Sequence, residues 1–224
     1  MSSDVKKEKI IRKGAEASLY SGYWFGKNVI FKCRIPKKYR IEELDKRIRT
    51  ERTLNEARAL IKVKNYGINV PQVFEIDSTT STIVMKYIQG NKLKDILANL
   101  DDDLKKKYFY EIGRTIATLH KNGHIHGDIT TSNIIITSEG NIFLIDFGLH
   151  EYSDTIEDKS VDLHLLKRVL ISSRGSNYEY CFNAFLEGYR SRYREIDINE
   201  CDEIIKNIKA IESRGRYIKP EDRL

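Results

Sequence analysis

The chain has 224 residues, enough for one domain or for two small domains around a shared core. Lysine and arginine outnumber aspartate and glutamate by 39 to 33, and the net charge of +6 permits an acidic partner such as RNA without requiring one. Three cysteines without CxxC spacing argue against a disulfide framework or a zinc site and predict reduced thiols. Because there is no apolar signal region and no run of about 18 apolar residues, we expect a soluble cytoplasmic protein with no membrane partner.

The first part of the chain predicts an antiparallel sheet and one long helix. Residues 10–35 alternate between apolar and polar side chains, with turn-like breaks at Gly14, Gly22 and residues 25–28, which predicts three short strands. Residues 41–64 change to helical spacing, with apolar side chains near one face. Residues 73–77 and 82–88 then predict two more strands.

The second part of the chain predicts helices, beginning with a strongly amphipathic helix at residues 103–121. A seam between the two parts is expected at about Gly90. We therefore predict an α+β fold with an N-terminal lobe at residues 1–88, a mostly helical and shortened lobe at 89–212, and a loose basic tail at 213–224.

The stretch HIHGDITTSNIIITSEGNIFLIDFG, at residues 124–148, places Asp128, Asn133 and Asp146 in one short segment. Asp128 and Asn133 lie in a loop after the helix, and the apolar runs on either side of SEGN predict a hairpin that brings Asp146 back toward Asn133. A carboxylate and an amide oxygen suit Mg²⁺ bound to nucleotide phosphates, and Asp128 could accept a proton from an attacking hydroxyl or water. This is H-x-D-x-x-x-x-N followed by D-F-G, the pattern of the catalytic and metal loops of protein kinases.

Other parts of a kinase nucleotide site occur upstream in the expected order. Lys32 lies on the third predicted strand and Glu56 in the long helix, where a kinase carries the lysine that holds ATP phosphates and the glutamate that pairs with it. Backbone groups after the fifth strand would meet adenine over an apolar floor. The residues of this predicted adenine site are Met85, Lys86, Tyr87 and Ile88.

With these parts in place, the sequence resembles a specific family. KGAEASLY at residues 13–20, LDKRIRTERTLNEAR at 44–58 and RGR at 214–216, together with HGDITTSN, IDFGL and KSVDLHLLKR, are similar to the small atypical serine/threonine kinase and ATPase of the KEOPS complex. This family is also called the p53-related protein kinases, and it works in making threonylcarbamoyladenosine in tRNA. The resemblance covers nearly the whole chain and implies a minimal bilobal kinase fold with ATP in the cleft between the lobes.

The resemblance also implies a role for individual residues and a set of ligands and partners. Asp128 would be the catalytic base, Asn133 and Asp146 the Mg²⁺ ligands, and Lys32 with Glu56 the pair that holds ATP. The loop over the phosphates would be Gly14, Ala15, Glu16 and Ala17. His126 and Asp162 would support the catalytic loop, and Arg214 and Arg216 would contact tRNA. The implied partners are the threonylcarbamoyl transferase subunit and other KEOPS subunits.

Three departures from ordinary kinases predict a different substrate. Gly127 replaces the arginine of H-R-D, so switching by a phosphorylated activation loop is expected to be absent. The chain has only three prolines, none of which can form an Ala-Pro-Glu motif after Asp146, and Asp162 follows 16 positions later, so we expect no platform for an extended peptide. Glu16 would repel phosphates unless it points away or pairs with a cation such as Lys13. The sequence leaves this choice open.

Simpler interpretations exist for several of these residues. Asp128 and Asn133 could cap a turn, Met85 could belong only to the core, and Glu56 could form a solvated helix pair with Arg52. Residues 22–28 resemble a Walker A loop weakly, because the stretch is one residue short and lies between strands. The histidines at positions 120, 124 and 126 suggest a zinc cluster but lack a fourth ligand.

Two further functions remain as alternatives to an enzyme. The chain could be a pseudoenzyme that binds ATP as a scaffold for a tRNA-modifying complex, although all five catalytic side chains are present. It could also bind RNA as its main role, through basic runs that would by default be solvated.

Overall fold

The computed structural model describes residues 4–172, 178–193 and 198–216. The chain divides into two compact units. The first unit comprises Met1–Gly90 and Phe143–Gly148, and the second comprises Asn91–Ile142 and Leu149–Leu224.

The first unit is built on a five-stranded antiparallel sheet. Its strands are β1 (Val5–Lys13), β2 (Ala17–Trp24), β3 (Lys27–Arg34), β4 (Val73–Asp77) and β5 (Thr82–Lys86). Their order is β1-β2-β3-β5-β4, so β3 is the central strand and β1 is an edge. Phe25 and Gly26 both have positive φ, at 46° and 76°, which fits the tight two-residue turn of a hairpin between β2 and β3. The structure confirms the three strands predicted for residues 10–35 and the two that follow. The break predicted at Gly22 is wrong, because β2 continues through it; a Cβ there would lie 1.9 Å from the Lys6 carbonyl oxygen, so the glycine allows β1 to approach closely.

The helix α1 (Glu42–Lys64) confirms the long helix that the sequence predicts after the third strand. Ala57, Leu60 and Val63 are buried on one side of it, and the helix packs against β4 and β5. Its first turn carries acidic residues and its last turn basic ones, which complements the helix dipole. Because Glu56 lies next to Ala57 on the buried side, α1 carries this carboxylate into the interior of the unit.

The second unit is mostly helical. Its helices are α2 (Leu93–Ile96), α3 (Asp102–Lys121), α4 (Ile156–Ser172), α5 (Tyr178–Tyr193) and α6 (Ile198–Arg216). Its short strands are β6 (Asn91–Lys92), β7 (His124–Ile125), β8 (Ile134–Ile136) and β10 (Glu151–Tyr152), and β9 (Ile142–Leu144) runs from this unit into the first. Within the described part of the chain, no helix is both long enough and apolar enough to span a membrane.

Helix α3 confirms the amphipathic helix predicted at residues 103–121. Asp101 caps its first turn by accepting a hydrogen bond from the Leu104 N–H at 2.7 Å. Phe109, Ile112 and Ile116 are fully buried on its inner face. The predicted catalytic loop follows this helix and the short strand β7.

Two expectations differ from the structure. Residues 143–148 were assigned to the second lobe by their position in sequence, but they group with the first unit, where Leu144 N–H donates to the Asn69 carbonyl at 2.9 Å. The prediction of a loose tail from residue 213 is wrong for residues 213–216, because α6 continues to Arg216. Residues 217–224 of the predicted tail lie outside the described residues.

Candidate active site

Lys32 of β3 lies at the centre of a buried ion-pair cluster in the first unit. Its Nζ is 2.5 Å from Glu56 Oε1 and 2.8 Å from Asp146 Oδ1. Burial disfavours the ammonium form, but the two carboxylates outweigh burial and raise the pKa of Lys32 above its ordinary value. Lys32 is therefore a fixed positive charge at neutral pH, and Glu56 is not the solvated partner of Arg52 that helical spacing allowed.

Arg34 is a second cation in this cluster, and sequence reasoning did not identify it. Its Nη2 is 2.7 Å from Glu56 Oε2, so the two oxygens of Glu56 bind two different cations of the same strand. The side chains of Arg34 and Glu56 are 4% and 1% exposed, which places the pair in the interior. Residues i and i+2 of a strand project to the same face, so the spacing placed Arg34 beside Lys32 without indicating a partner.

The predicted phosphate loop, residues 14–17, connects β1 and β2. Gly14 N–H donates to the Ala17 carbonyl at 2.9 Å, which closes the turn. Glu16 pairs with Arg52 of α1 at 2.7 Å and with Arg34 at 3.5 Å. Partial burial opposes ionisation of Glu16, but the hydrogen bond and charge of Arg52, followed by the charge of Arg34, lower its pKa. The cations that bind Glu16 are thus two arginines distant in sequence, and not Lys13.

The predicted adenine site, residues 85–88, follows directly from β5. Met85 and Ile88 are each 8% exposed, whereas Tyr87 is 41% exposed. The backbone N–H of Lys86 donates to the Gln72 carbonyl at 2.8 Å, and the backbone N–H of Tyr87 donates to the Asn28 carbonyl at 3.1 Å. These bonds fix the segment to its neighbours.

Asp146 holds a strained backbone conformation in the predicted metal loop. Its φ is 67°, which is uncommon for a residue other than glycine and costs on the order of 1–3 kcal/mol. Its Oδ1 accepts from Lys32 and also from the Gly148 N–H at 3.3 Å. The side chain remains 45% exposed, so the carboxylate is held in place yet open to solvent.

Asp128 and Asn133 are joined by direct hydrogen bonds in the second unit. Asn133 Nδ2 donates to the Asp128 carboxylate at 2.8 Å and to the Asp128 carbonyl at 3.0 Å. Since Nδ2 makes both bonds, Oδ1 of the buried Asn133 is the atom of that amide suited to a cation. A carboxylate oxygen of Asp146 and an amide oxygen of Asn133 are both hard donors, and their chemistry fits Mg²⁺.

Asp162 of α4 binds the backbone of the predicted catalytic loop inside the second unit. Its two carboxylate oxygens accept from the backbone N–H groups of His126 and Gly127, each at 2.9 Å. His120 donates from Nε2 to the same carboxylate at 3.1 Å. His126 Nδ1 in turn accepts from the Asp128 N–H at 3.3 Å. One buried carboxylate therefore fixes the backbone of His126 and Gly127, and the His126 ring fixes the N–H that follows.

The conformation of the loop also explains why Gly127 stands where most kinases carry an arginine. Its φ is +79°, and a Cβ at this position would lie 2.2 Å from the Leu149 carbonyl oxygen. A side chain of any size would collide with that backbone. The local fold therefore requires a glycine at this position.

The remaining sequence predictions have the following places in the structure. His124 contacts His150 at 2.8 Å, while His120 and His126 serve the Asp162 network, so the three histidines have separate partners. Within the described ranges, no three His, Cys, Asp or Glu side chains form a metal-binding group. Arg214 pairs with Glu157 at 2.8 Å on the exposed side of α6. Arg216 ends α6, and its side chain lies outside the described part.

Comparisons with known proteins agree with the motifs. The family model described as protein kinase domain matches residues 5–169. The chain is 46% identical over 218 residues to the KEOPS complex subunit Bud32 of Pyrococcus abyssi, and the alignment covers 93% of this chain and 96% of that protein. It is 42% identical over 210 residues to the probable bifunctional tRNA threonylcarbamoyladenosine biosynthesis protein of Methanobrevibacter smithii, covering 94% of this chain but 37% of that protein. A protein of the same name from Methanocaldococcus jannaschii is 40% identical over 213 residues, and 37% of it is covered.

Proposed function

Because the chain belongs to the protein kinase family, and within it to the family of the KEOPS complex subunit Bud32, we propose that it transfers the γ-phosphate of ATP in support of threonylcarbamoyladenosine formation in tRNA. The observation that carries this proposal is the buried cluster in which Lys32 contacts Glu56 and Asp146. A kinase needs this lysine as a fixed charge for the phosphates and this aspartate for the metal.

The first unit would bind and orient the triphosphate. Lys32 would exchange its contact with Asp146 for a phosphate oxygen of ATP, while Glu56 keeps the ammonium group in place. The Asp146 carboxylate would then be available to Mg²⁺, together with Oδ1 of Asn133. When bound, Mg²⁺ supplies positive charge that neutralises the phosphate oxygens.

The segment 85–88 would bind adenine. The N–H groups of Lys86 and Tyr87 already donate to neighbouring carbonyls, so the backbone of Ile88 is the group best suited to read the base. The buried Met85 and Ile88 side chains would provide the apolar floor.

Asp128 would accept the proton of the attacking hydroxyl or water. Asn133 donates one hydrogen bond to the Asp128 carboxylate, which orients it and leaves lone pairs for the proton. The short segment between Asp146 and Asp162 favours a small acceptor over an extended peptide. We therefore favour water, or a serine or threonine hydroxyl presented by a partner or by this chain itself.

The names of the relatives support a role within a complex. One relative is named as a KEOPS complex subunit. The bifunctional relatives match this chain over little more than a third of their length, so the rest of their named function lies outside the matched part. We propose the threonylcarbamoyl transferase subunit as a partner, with tRNA contacted indirectly or through Arg214 and Arg216.

Phosphate release from ATP tests this proposal, with Mg²⁺ and no added acceptor, in the presence and absence of tRNA. Asp128→Asn and Asp146→Asn are expected to lower the rate by about 10² to 10⁴-fold, because they remove the base and a metal ligand. Asp103→Asn, an exposed carboxylate on α3, is the matched control and should leave the rate unchanged. Equal rates for all four proteins would exclude the proposal, and ATP binding without turnover by the wild type would favour the scaffold.

A further inference from the structure

An alternating chain of charges connects the elements of the nucleotide site in the first unit. It runs from Arg52 to Glu16, from Glu16 to Arg34, and from Arg34 through Glu56 to Lys32, with distances of 2.7, 3.5, 2.7 and 2.5 Å. This series of ion pairs starts on α1, passes through the loop between β1 and β2, and returns to α1 through β3. Arg34 is the link that touches both glutamates.

The need for such a link follows from the charge of Glu16. A carboxylate in a loop over phosphates repels them, and the repulsion is strong where water is scarce. Ordinary kinase loops avoid this by using glycines. Glu16 remains ionised, as its lowered pKa indicates, so its charge must be neutralised and held at a distance from ATP.

Arg34 has the geometry for this task. Its planar guanidinium presents Nη2 to Glu56 and Nη1 to Glu16, a fork that a lysine cannot reproduce. A Cβ placed on Gly148 of the metal loop would lie 3.5 Å from Arg34 Nη2 and 3.7 Å from Lys32 Nζ, so both cations lie beside that loop. Arg34 thus binds α1 and the loop between β1 and β2, and it lies beside the metal loop.

We propose that Arg34 is a positioning residue for ATP: it holds Glu56 against Lys32 and, with Arg52, holds the Glu16 carboxylate away from the triphosphate. The inference rests on the proposed function, because it assigns Glu16 to a loop that covers phosphates. The proposed role of Arg34 differs from a purely structural role in one respect. A defect at Arg34 should be corrected in part by removing the charge of Glu16.

The test measures the Kd for ATP with Mg²⁺ by calorimetry, and KM and kcat for ATP turnover. Arg34→Met should raise Kd and KM about tenfold, and Arg52→Met about threefold, because the Arg52 pair is more exposed. Adding Glu16→Gln to either variant should recover about threefold in Kd. Arg47→Met, which removes an exposed cation from the same helix, is the control and should bind ATP as the wild type does.

A Kd for Arg34→Met within twofold of that for Arg47→Met would overturn the inference, as would a defect that Glu16→Gln leaves unchanged. If Arg34→Met does not fold, Arg52→Met with and without Glu16→Gln decides the matter, because that pair is at the surface. Failure of the wild type to bind ATP would overturn the proposed function and this inference together. Normal binding by the wild type without these effects would overturn only the inference.

Discussion

Gly127 and Gly140 have nearly the same left-handed backbone, with φ of +79° and +78°, but different surroundings. A Cβ on Gly127 would lie 2.2 Å from the Leu149 carbonyl oxygen, whereas on Gly140 the nearest atom is the Tyr108 hydroxyl at 3.7 Å. We expect Gly140→Ala to cost about 1 kcal/mol of folding free energy, from the backbone conformation alone. Gly127→Ala should cost about 3 kcal/mol or more, because the collision adds to that term. Urea denaturation measures both, and equal losses would show that the steric contact is unimportant.

Single residues divide clearly into those that sequence could and could not assign. Asp128, Asn133 and Asp146 could be proposed because their spacing is typical of one chemistry, and the structure joins Asp128 to Asn133 and Asp146 to Lys32. Arg34 was missed, since a second cation two positions along a strand has no meaning until its partner on another element is known. The partner of Glu16 was uncertain for the same reason. Arg52, the cation that binds it at 2.7 Å, is 36 positions away, where local spacing carries no information.

At the scale of elements, the turn between β4 and β5 depends on one carboxylate. Asp77 accepts hydrogen bonds from the side chains and backbone N–H groups of Thr79 and Thr80, at 2.5 to 3.1 Å. The Thr79 hydroxyl is the largest cause, followed by Thr80, and together they lower the pKa of Asp77 to about 2. The ordinary value is about 3.9.

The stability of this turn should therefore depend on pH. Because the pKa is lower in the folded state, the stabilisation is fully present above about pH 4 and is lost as pH falls toward 2. Asp77→Asn should flatten the acid limb of the stability curve, measured by urea unfolding between pH 2 and 5, by a modest amount because the site is close to solvent. Asp103→Asn is the control, and an identical flattening in both variants would show that Asp77 has no special part.

Most elements followed from the periodicity of the sequence, because burial of one face imposes its spacing on α1, which packs against β4 and β5, and on α3, which packs against α5. The end of α6 could not be predicted from this periodicity. The residues from Ser213 are polar, which predicts a loose tail, but the Ser213 hydroxyl donates to the Ala210 carbonyl at 2.7 Å and Arg214 binds Glu157 of α4. Polar contacts of this kind continue a helix past its last apolar residue. They cannot be predicted from the apolar spacing of that helix alone.

For the molecule as a whole, the grouping of residues 143–148 with the first unit is the feature that sequence could not supply. These residues follow the catalytic loop along the chain, yet Asp146 binds Lys32, 114 positions earlier. Such pairing is set by the fold and has no local signal. The consequence is that each unit carries part of the proposed chemistry, the phosphate-binding charges in one and the Asp128 loop in the other.

The net charge of +6 also belongs to the whole molecule, and it makes any affinity for tRNA depend on salt. Arg214 can contribute only by leaving Glu157, and because the two side chains are 64% and 47% exposed, their pair is weak enough to exchange for a phosphate. Arg214→Ala should therefore weaken tRNA binding and lower the slope against log salt by about 1. Glu157→Gln should strengthen binding by about twofold, since it frees the guanidinium.

Filter binding of tRNA over a range of salt concentrations measures both effects. Arg47→Ala removes the same charge from the other unit and is the control for the general field of the protein. If Arg214→Ala and Arg47→Ala weaken binding equally and Glu157→Gln has no effect, the contribution of Arg214 is only that of net charge. A larger effect at Arg214, opposite in sign to that of Glu157→Gln, would locate a phosphate contact at the end of α6.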